Sequence, residues 1–547
     1  MKKSVYHVIS FSILCCLFPL SYIYACTSVL VSKGATADGS AMITYECDGE
    51  FHPILQYEPA ADYQPGDSVE LGNWDDDKVY KIPRPKHTYA VLGLMNEHQL
   101  AIGESTFDGR MELRNPEGHL RYWHLMHLAL RRAKTAREAI KVMTSLVDEY
   151  GYASTGESFS IADPNEVWIM EMIGPGEGGK GAVWAALKIP DGYICAHANK
   201  SVIGEFPLKD PENCLYSRNV ISLAVKKGYY DPKSGKPFSF HDAYDPDTPQ
   251  NLKFCSTRVW SIFNRAAPSL KLSPDYHRAL PGAEPYPMWV KPDKKLATAD
   301  VFSLIRDHYE GTDFDMTKGI DAGPYGSPNR WRPLVFEVDS TDYSWERPIS
   351  TQQTGYSFVS QSRSWLPDAI GGIFWYGLDD TYTNCYTPLY VGINEAPESY
   401  RTGSLSEFSW KSGWWVFNFV ANFANLKYSY MIKDIQRVQN EIESRFFLAQ
   451  PKIEKTALEL SENDPPEMIR FLTKYSVTQA ESTIDSWRRL GKLLITKYND
   501  GFVQETPGDA VEKGYPDQWL QEVVRGRPDQ FKMRKRDASV PESKLTD

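Results

Sequence analysis

The feature that most constrains this chain is Cys26, because it directly follows a segment with the composition of a removable secretion signal. A basic start and a mostly apolar stretch at residues 8–20 lead to the small residue Ala25. Cleavage after Ala25 would leave Cys26 as the first residue of the mature chain, with a thiol and a free α-amine on one residue. We therefore expect residues 1–25 to be a signal peptide and the protein to be exported, either to a periplasm or to the medium.

Two alternatives to a cleaved signal are that the leader spans a membrane or that it directs lipidation of Cys26. The apolar stretch is too short and too interrupted for a stable membrane span, which needs about 20 apolar residues. The sequence IYAC at residues 23–26 loosely resembles a lipobox, although the bulky Tyr24 suits that motif poorly. Lipidation would acylate the amine of Cys26, so this alternative also removes the chemistry that a free N-terminal cysteine offers.

Composition places the 547-residue chain among soluble globular proteins, with 42% hydrophobic and 24% charged residues. The formal net charge of −11 and the lack of a long basic block argue against a nucleic-acid partner. Six of the eight cysteines lie beyond the predicted leader at wide spacings, without a Cys-x-x-Cys motif. Neither a zinc site nor a disulfide framework is indicated.

Strand and helix patterns alternate in blocks. Residues 27–33 and 41–46 predict an antiparallel hairpin, so that Cys26 precedes the first strand. Short strands recur between residues 158 and 197 and again in residues 331–390. This alternation of antiparallel strands with helical blocks predicts an α+β fold.

Helices are predicted in the middle and at the end of the chain. Residues 122–133 have helical apolar spacing, and a capping box at Thr135 opens a second helix that Gly151 closes. Further helices are predicted at residues 430–449, 466–473 and 478–498. We expect one domain over residues 26–410 and a helical region over residues 411–547.

An N-terminal cysteine can hydrolyse an amide without a histidine base. An α-amine has a pKa of about 7.7 to 8.0, so it can accept the thiol proton directly or through water. The thiolate then attacks the carbonyl carbon, and the resulting oxyanion needs hydrogen-bond donors. No metal or organic cofactor is required by this chemistry.

Several segments carry a resemblance to a known family. Residues 26–43 read CTSVLVSKGATADGSAMI, and shorter motifs follow in the same order along the chain: MNEHQLAIGE at 95–104, GESFSIAD at 156–163, EVWIMEM at 166–172, HAN at 197–199 and RVW at 258–260. This pattern resembles the dipeptidases of the cysteine N-terminal nucleophile type, the dipeptidase A-like peptidases, which are related to penicillin V and bile-salt acylases. The resemblance is good to about residue 265 and loose beyond it.

The resemblance implies a four-layer αββα sandwich and a set of site residues. Cys26 matches the nucleophile, with its own amine as the general base. Asp48 matches a carboxylate that orients the nucleophile, while Asn96 and Asn199 match asparagines near the oxyanion site. Arg258 matches an arginine beside the active cysteine, where its charge would lower the thiol pKa.

This chain departs from the family pattern at one position. In relatives the aspartate at this position belongs to an Arg-x-x-Asp element. Here Asp48 supplies the aspartate, but Tyr45 stands in place of the arginine, so that charge is missing or comes from elsewhere, with Arg258 as the candidate. Structural readings also remain open. Asn96 could cap a hairpin turn and Asp48 could begin a loop. Asn199 could pair with backbone groups, and Arg258 could bridge a surface carboxylate.

We expect an exported cysteine peptidase that cleaves dipeptides or short peptides. One alternative is an acyl-amino-acid or penicillin-like amidase of the same fold. Another is a lipidated surface protein that binds peptide or glycan without catalysis. The sequence leaves a homo-oligomer open.

Weaker signals concern histidines. His124 and His127 are one helical turn apart, but no third metal ligand accompanies them. A papain-like pairing of Cys26 with His197 or His98 is a further alternative, although the papain signature is absent around Cys26.

Overall fold

The computed structural model describes residues 26–49, 52–73 and 78–533. The predicted signal peptide, residues 1–25, lies outside the described residues, as does the end of the predicted helical region, residues 534–547.

The strands in chain order are β1 (Ser28–Val31), β2 (Ala41–Asp48), β3 (Tyr57–Glu58), β4 (Ala61–Asp62), β5 (Ser68–Gly72), β6 (Val79–Pro83), β7 (His87–Thr88), β8 (Val91–Leu92), β9 (Met95–Asn96), β10 (Ala101–Phe107), β11 (Gly156–Ala162), β12 (Val167–Ile173), β13 (Val183–Lys188), β14 (Ile194–His197), β15 (Cys214–Tyr216), β16 (Trp289–Val290), β17 (Val335–Val338), β18 (Thr341–Ser344), β19 (Thr354–Ser362), β20 (Ile373–Leu378), β21 (Thr387–Tyr390), β22 (Phe502–Val503) and β23 (Val511–Glu512).

The helices are α1 (Tyr122–Leu130), α2 (Ala136–Tyr150), α3 (Val220–Lys227), α4 (Phe240–Tyr244), α5 (Pro249–Asn251), α6 (Thr257–Ala266), α7 (Thr298–Ile305), α8 (Asp368–Gly371), α9 (Gly413–Ala424), α10 (Tyr428–Asn463), α11 (Pro465–Lys497), α12 (Asp517–Gly526) and α13 (Pro528–Phe531). A π-helical turn, Leu252–Ser256, leads into α6.

Two large sheets organise the molecule. One has seven strands in the order β16-β14-β1-β2-β19-β20-β21, and the other has eight in the order β15-β13-β12-β11-β10-β9-β8-β3. Every pairing within them is antiparallel. The expected opening hairpin is present, because β1 pairs with β2. The α+β expectation is therefore confirmed.

The sheets share one apolar core, and helices cover their other faces. β1 and β2 contact β10, β11 and β12 of the eight-stranded sheet. In β12, Ile169 belongs to this shared core, whereas Trp168 and Met170 pack with residues of α1 and α2 in a second core. This alternation follows from the two-residue period of a strand. On the seven-stranded sheet, α7 contacts β19, α9 contacts β20, and α10 and α11 contact β21.

The C-terminal helices are longer than the sequence predicts. The predicted break between residues 473 and 478 is wrong, because α11 runs unbroken from Pro465 to Lys497. Its Thr473 and Ser476 are buried, and their hydroxyl oxygens accept the main-chain N–H groups of Asn394 and Tyr390. Small hydroxyl residues thus bring the helix against the sheet, and this packing outweighs their weak helix propensity.

The other long helix also exceeds its prediction. α10 continues through Pro451 to Asn463 rather than ending near residue 449. Among the helices of the described residues, none has both the length and the apolar character needed to cross a membrane.

Candidate active site

Cys26 lies at the start of the first strand of the seven-stranded sheet. Thr27 forms an antiparallel bridge with Glu46, in register with the pairing of β1 and β2. Extending this register by one residue places Cys26 opposite Cys47, on the same face of the sheet. The side chain of Cys26 is buried, with 3% of its surface exposed.

The thiol of Cys26 faces a carboxyl group and a phenol. Its Sγ lies 3.7 Å from Oε1 of Glu104 and 3.9 Å from Oη of Tyr45. The Tyr45 hydroxyl also donates to Oε1 of Glu104 and lies 2.9 Å from Sγ of Cys47. Gly103 allows this approach, because a Cβ there would meet Cβ of Tyr45 at 3.0 Å. Tyr45, at the position of the family arginine, therefore links the two sheets at the thiol.

A second glutamate accompanies Glu104. The register of β10 and β11 pairs Glu104 with Phe159, so Glu104 and Glu157 are diagonal neighbours on one face. Glu157 Oε2 accepts a hydrogen bond of 3.1 Å from Thr106. Burial raises the pKa of Glu157, and the nearby carboxylate of Glu104 raises it further.

The thiol pKa differs from the expectation based on Arg258. A side-chain hydrogen bond to Cys47 raises the pKa of Cys26 most, followed by burial and by the negative charge of Glu104. Cys26 is therefore a thiol at neutral pH, and its attack requires a base that accepts the proton.

Arg258 holds the main chain of Cys26. Its Nη1 donates to the carbonyl oxygen of Cys26 at 2.7 Å and to Oγ1 of Thr27 at 3.0 Å. Its Nε donates at 2.8 Å to the carbonyl oxygen of Phe254 in the π-helical turn, which fixes the guanidinium. Burial, with the charge of Arg347, lowers the pKa of Arg258 to about 10, so it remains a cation at neutral pH.

Asn199 is a further partner of this guanidinium, which also donates to the carbonyl oxygen of Ala198 at 3.2 Å. Its Oδ1 accepts from Nη2 of Arg258 at 2.9 Å, and its Nδ2 donates to the carbonyl oxygen of Thr106 at 2.7 Å. Its backbone has φ 55°, a left-handed conformation that asparagine tolerates. Asn199 thereby joins the end of β14 to β10 and to Arg258. Its predicted role near the oxyanion stays a prediction.

Asp48 lies on the opposite side of its strand from Cys47. Its two carboxylate oxygens accept from Arg347 and, at 2.5 Å, from Oγ1 of Thr354. Both members of the ion pair are buried. The predicted contact of Asp48 with the nucleophile stays a prediction. No motif pointed to Arg347, which is 299 residues away along the chain.

Asn96 uses its side chain to organise a turn. Its Nδ2 donates to the carbonyl oxygens of Leu130 and Ala133, each at 2.8 Å. Its Oδ1 accepts the main-chain N–H groups of His98 and Leu100. These contacts match the alternative in which Asn96 caps a turn, and its role near the oxyanion stays a prediction.

Histidines near the site have other partners. Nδ1 of His197 lies 2.6 Å from Oγ of Ser105, and its Nε2 lies 2.7 Å from Oγ of Ser160. Burial and the charge of Arg258 lower the pKa of His197 to about 3, so it is neutral. Nδ1 of His98 lies 3.2 Å from Oδ2 of Asp368. These contacts do not favour the papain-like pairing.

The two helical histidines are also engaged. Nδ1 of His124 accepts the N–H of Arg121, and its Nε2 lies 3.0 Å from the carbonyl oxygen of Gly72. His127 lies 3.4 Å from Glu58. Within the described ranges, no cluster of three or more potential metal ligands occurs.

Comparisons with known proteins relate this chain to peptidases. The model of a family described as Peptidase family C69 matches residues 68–441, a range that begins after Cys26. A probable dipeptidase of Salmonella dublin is 27% identical over 402 residues, covering 69% of this chain and 83% of the relative.

Two further relatives are named as dipeptidases. A probable dipeptidase of Latilactobacillus sakei is 27% identical, covering 74% of this chain and 82% of the relative. A probable dipeptidase B of Streptococcus pyogenes serotype M1 is 23% identical, covering 86% of this chain and 93% of the relative.

Proposed function

Because this chain belongs to peptidase family C69, we propose that it is an exported cysteine dipeptidase whose mature form begins at Cys26. The relatives named as probable dipeptidases support the substrate class. The observation that carries the proposal is the placement of Cys26 before β1, with its carbonyl held by Arg258 and its thiol beside Glu104 and Tyr45.

The first half of the reaction forms an acyl-enzyme. The free α-amine of Cys26 accepts the thiol proton as Sγ attacks the peptide carbonyl carbon. The tetrahedral intermediate collapses when the C–N bond breaks, and the amine returns the proton to the departing amino acid. Arg258 and Asn199 act as positioning residues, because they fix the main chain that carries both the sulfur and the amine.

The second half releases the other amino acid. Water attacks the thioester, its proton passes to the α-amine, and the C–S bond breaks as the thiol is restored. Since the hydrogen bond to Cys47, burial and the charge of Glu104 all raise the pKa of the Cys26 thiol, the returning proton is held firmly. The raised pKa also makes the sulfur a good nucleophile once it is deprotonated.

We further propose that the layers form the αββα sandwich of N-terminal nucleophile hydrolases over residues 26–410. Two antiparallel sheets in contact, with α1 and α2 on one side and α7 on the other, support this arrangement. The α10 and α11 helices of the predicted C-terminal region add to the second side.

A panel of substrates tests the proposed activity. The exported protein should hydrolyse unblocked dipeptides, and Cys26→Ala should lower kcat at least about 10³-fold. Cys26→Ser should retain a small residual activity, because a hydroxyl can attack more slowly. Undiminished hydrolysis by Cys26→Ala would refute the nucleophile. Preferred hydrolysis of acyl-amino acids would instead indicate the amidase.

A further inference from the structure

We propose that Glu104, supported by Glu157, binds the α-ammonium group of the substrate, so that the enzyme selects peptides with a free N-terminus. This inference rests on the proposed peptidase function and extends it to a specificity site. It starts from two buried carboxyl groups beside the nucleophile that form no ion pair with a Lys, Arg or His side chain of the described residues.

Among the described residues this pair has no cationic side chain as a partner, whereas two other buried acids do. Asp48 is paired with Arg347, and Glu443 is paired with Arg306. Within residues 26–49, 52–73 and 78–533, no Lys, Arg or His forms an ion pair with Glu104 or Glu157. Burying a carboxylate without a partner is costly, so a site of this kind favours a cation that arrives with a ligand.

Each carboxyl group also has one oxygen atom that accepts no hydrogen bond from the described residues. Oε2 of Glu104 and Oε1 of Glu157 are buried, and no N–H or O–H group of the described residues donates to them. Glu104 is 1% exposed and Glu157 is fully buried. A substrate ammonium could donate charge-assisted hydrogen bonds to both of these oxygens.

The position of Glu104 fits the geometry of a dipeptide. In any peptide with a free N-terminus, the ammonium nitrogen of the first residue lies about 2.5 Å from the carbonyl carbon of that residue. In a dipeptide that carbon is the one attacked, and it lies about 3 to 3.5 Å from the nucleophile before reaction. A carboxylate that accepts from the ammonium must therefore lie within a few ångströms of the sulfur. Oε1 of Glu104 lies 3.7 Å from Sγ of Cys26.

Tyr45 makes this site possible. Its hydroxyl bonds to Glu104 and is neutral, whereas an arginine at the same position could neutralise the carboxylate from within the protein. Tyr45 thus orients Glu104 and leaves its charge for the substrate. An N-acylated substrate has no ammonium to offer, so it would leave the acidic pair buried and unbalanced.

The test compares two substrates that differ only in the amine. One is an alanyl dipeptide, and the other is its des-amino analogue, in which a propionyl group replaces the alanyl residue. Glu104→Gln should lower kcat/KM for the dipeptide about 100-fold and change that for the analogue by less than about threefold. Glu157→Gln should act in the same direction. The exposed Glu177 serves as the control, and Glu177→Gln should change neither value.

A binding measurement covers the case in which the analogue is cleaved too slowly to follow. In a Cys26→Ala background, calorimetry should show that Glu104→Gln weakens binding of the dipeptide and leaves that of the analogue unchanged. Equal losses for both ligands would overturn the inference and indicate that Glu104 serves Cys26 itself. Equal wild-type kcat/KM for the two substrates would also overturn it, while leaving the peptidase proposal intact. Failure of the wild type to cleave any dipeptide would refute the proposed function instead.

Discussion

Arg258 donates a 2.7 Å hydrogen bond to the carbonyl oxygen of Cys26, across 232 residues of sequence. The same guanidinium bonds to Asn199, so one buried cation joins the strand that carries the nucleophile to the end of β14. Asn199 also donates to the carbonyl oxygen of Thr106 in β10, so the main chain of Cys26 has a fixed position relative to both sheets.

Replacing this arginine should affect turnover more than binding. Arg258→Lys keeps the charge but cannot make the same fork of hydrogen bonds, so the sulfur and the amine lose their alignment. We expect kcat to fall about 100-fold with little change in KM, measured at equal concentrations of folded enzyme. The exposed Arg218 provides the control, and Arg218→Lys should match the wild type. A raised KM with normal kcat would contradict a positioning role.

The ion pair between Asp48 and Arg347 should contribute to stability. Asp48→Asn leaves a buried guanidinium without its carboxylate, and we expect the free energy of unfolding to fall by about 3 to 5 kcal/mol. Denaturant unfolding measures this change. The double variant Asp48→Asn, Arg347→Met should recover part of the loss, because it removes the unpaired charge.

A surface ion pair gives the matched control for this prediction. Arg437 and Glu441 lie 3.1 Å apart on α10, with side chains more than half exposed. Glu441→Gln should change the free energy of unfolding by less than about 1 kcal/mol. A similarly small effect of Asp48→Asn would show that its pair with Arg347 is not the buried contact described above.

His197 should make the protein less stable in acid. Its pKa is about 3 in the folded protein because of burial and Arg258, against about 6.5 when unfolded. The unfolded chain therefore binds a proton first, and stability falls as the pH drops below 6.5. At pH 5 the loss is about 2 kcal/mol. The variant His197→Gln lacks this titrating group. The difference in the free energy of unfolding between wild type and variant should therefore shrink by that amount between pH 7.5 and 5. A constant deficit would contradict the assignment.

Local patterns predicted much of the fold. The hairpin of β1 and β2 and the start of α2 at Thr135 follow from alternation and from a capping residue, and both depend on near neighbours. The continuous helix α11 could not be predicted in this way, because its Ser476 is explained only by contact with β21.

The site was predicted less completely than the fold. Motif matching named Cys26 and Arg258, which lie in contact in the structure, but it could not show that Asp48 pairs with a distant Arg347. It also passed over Glu104 and Glu157, although a signal was present, since each is a glutamate within a strand of otherwise apolar or small residues. A charged residue in a buried strand requires a partner, and here the proposed partner is the substrate.

The most direct test of the central claim is the mass of the N-terminal peptide of the exported protein. It is measured once for the resting enzyme and once for enzyme quenched with acid during turnover. We predict an unmodified peptide that begins at Cys26 and, in the quenched sample, the same peptide carrying one aminoacyl group on Cys26. A diacylglyceryl group on Cys26, or full activity in a chain that retains residues 1–25, would contradict the account.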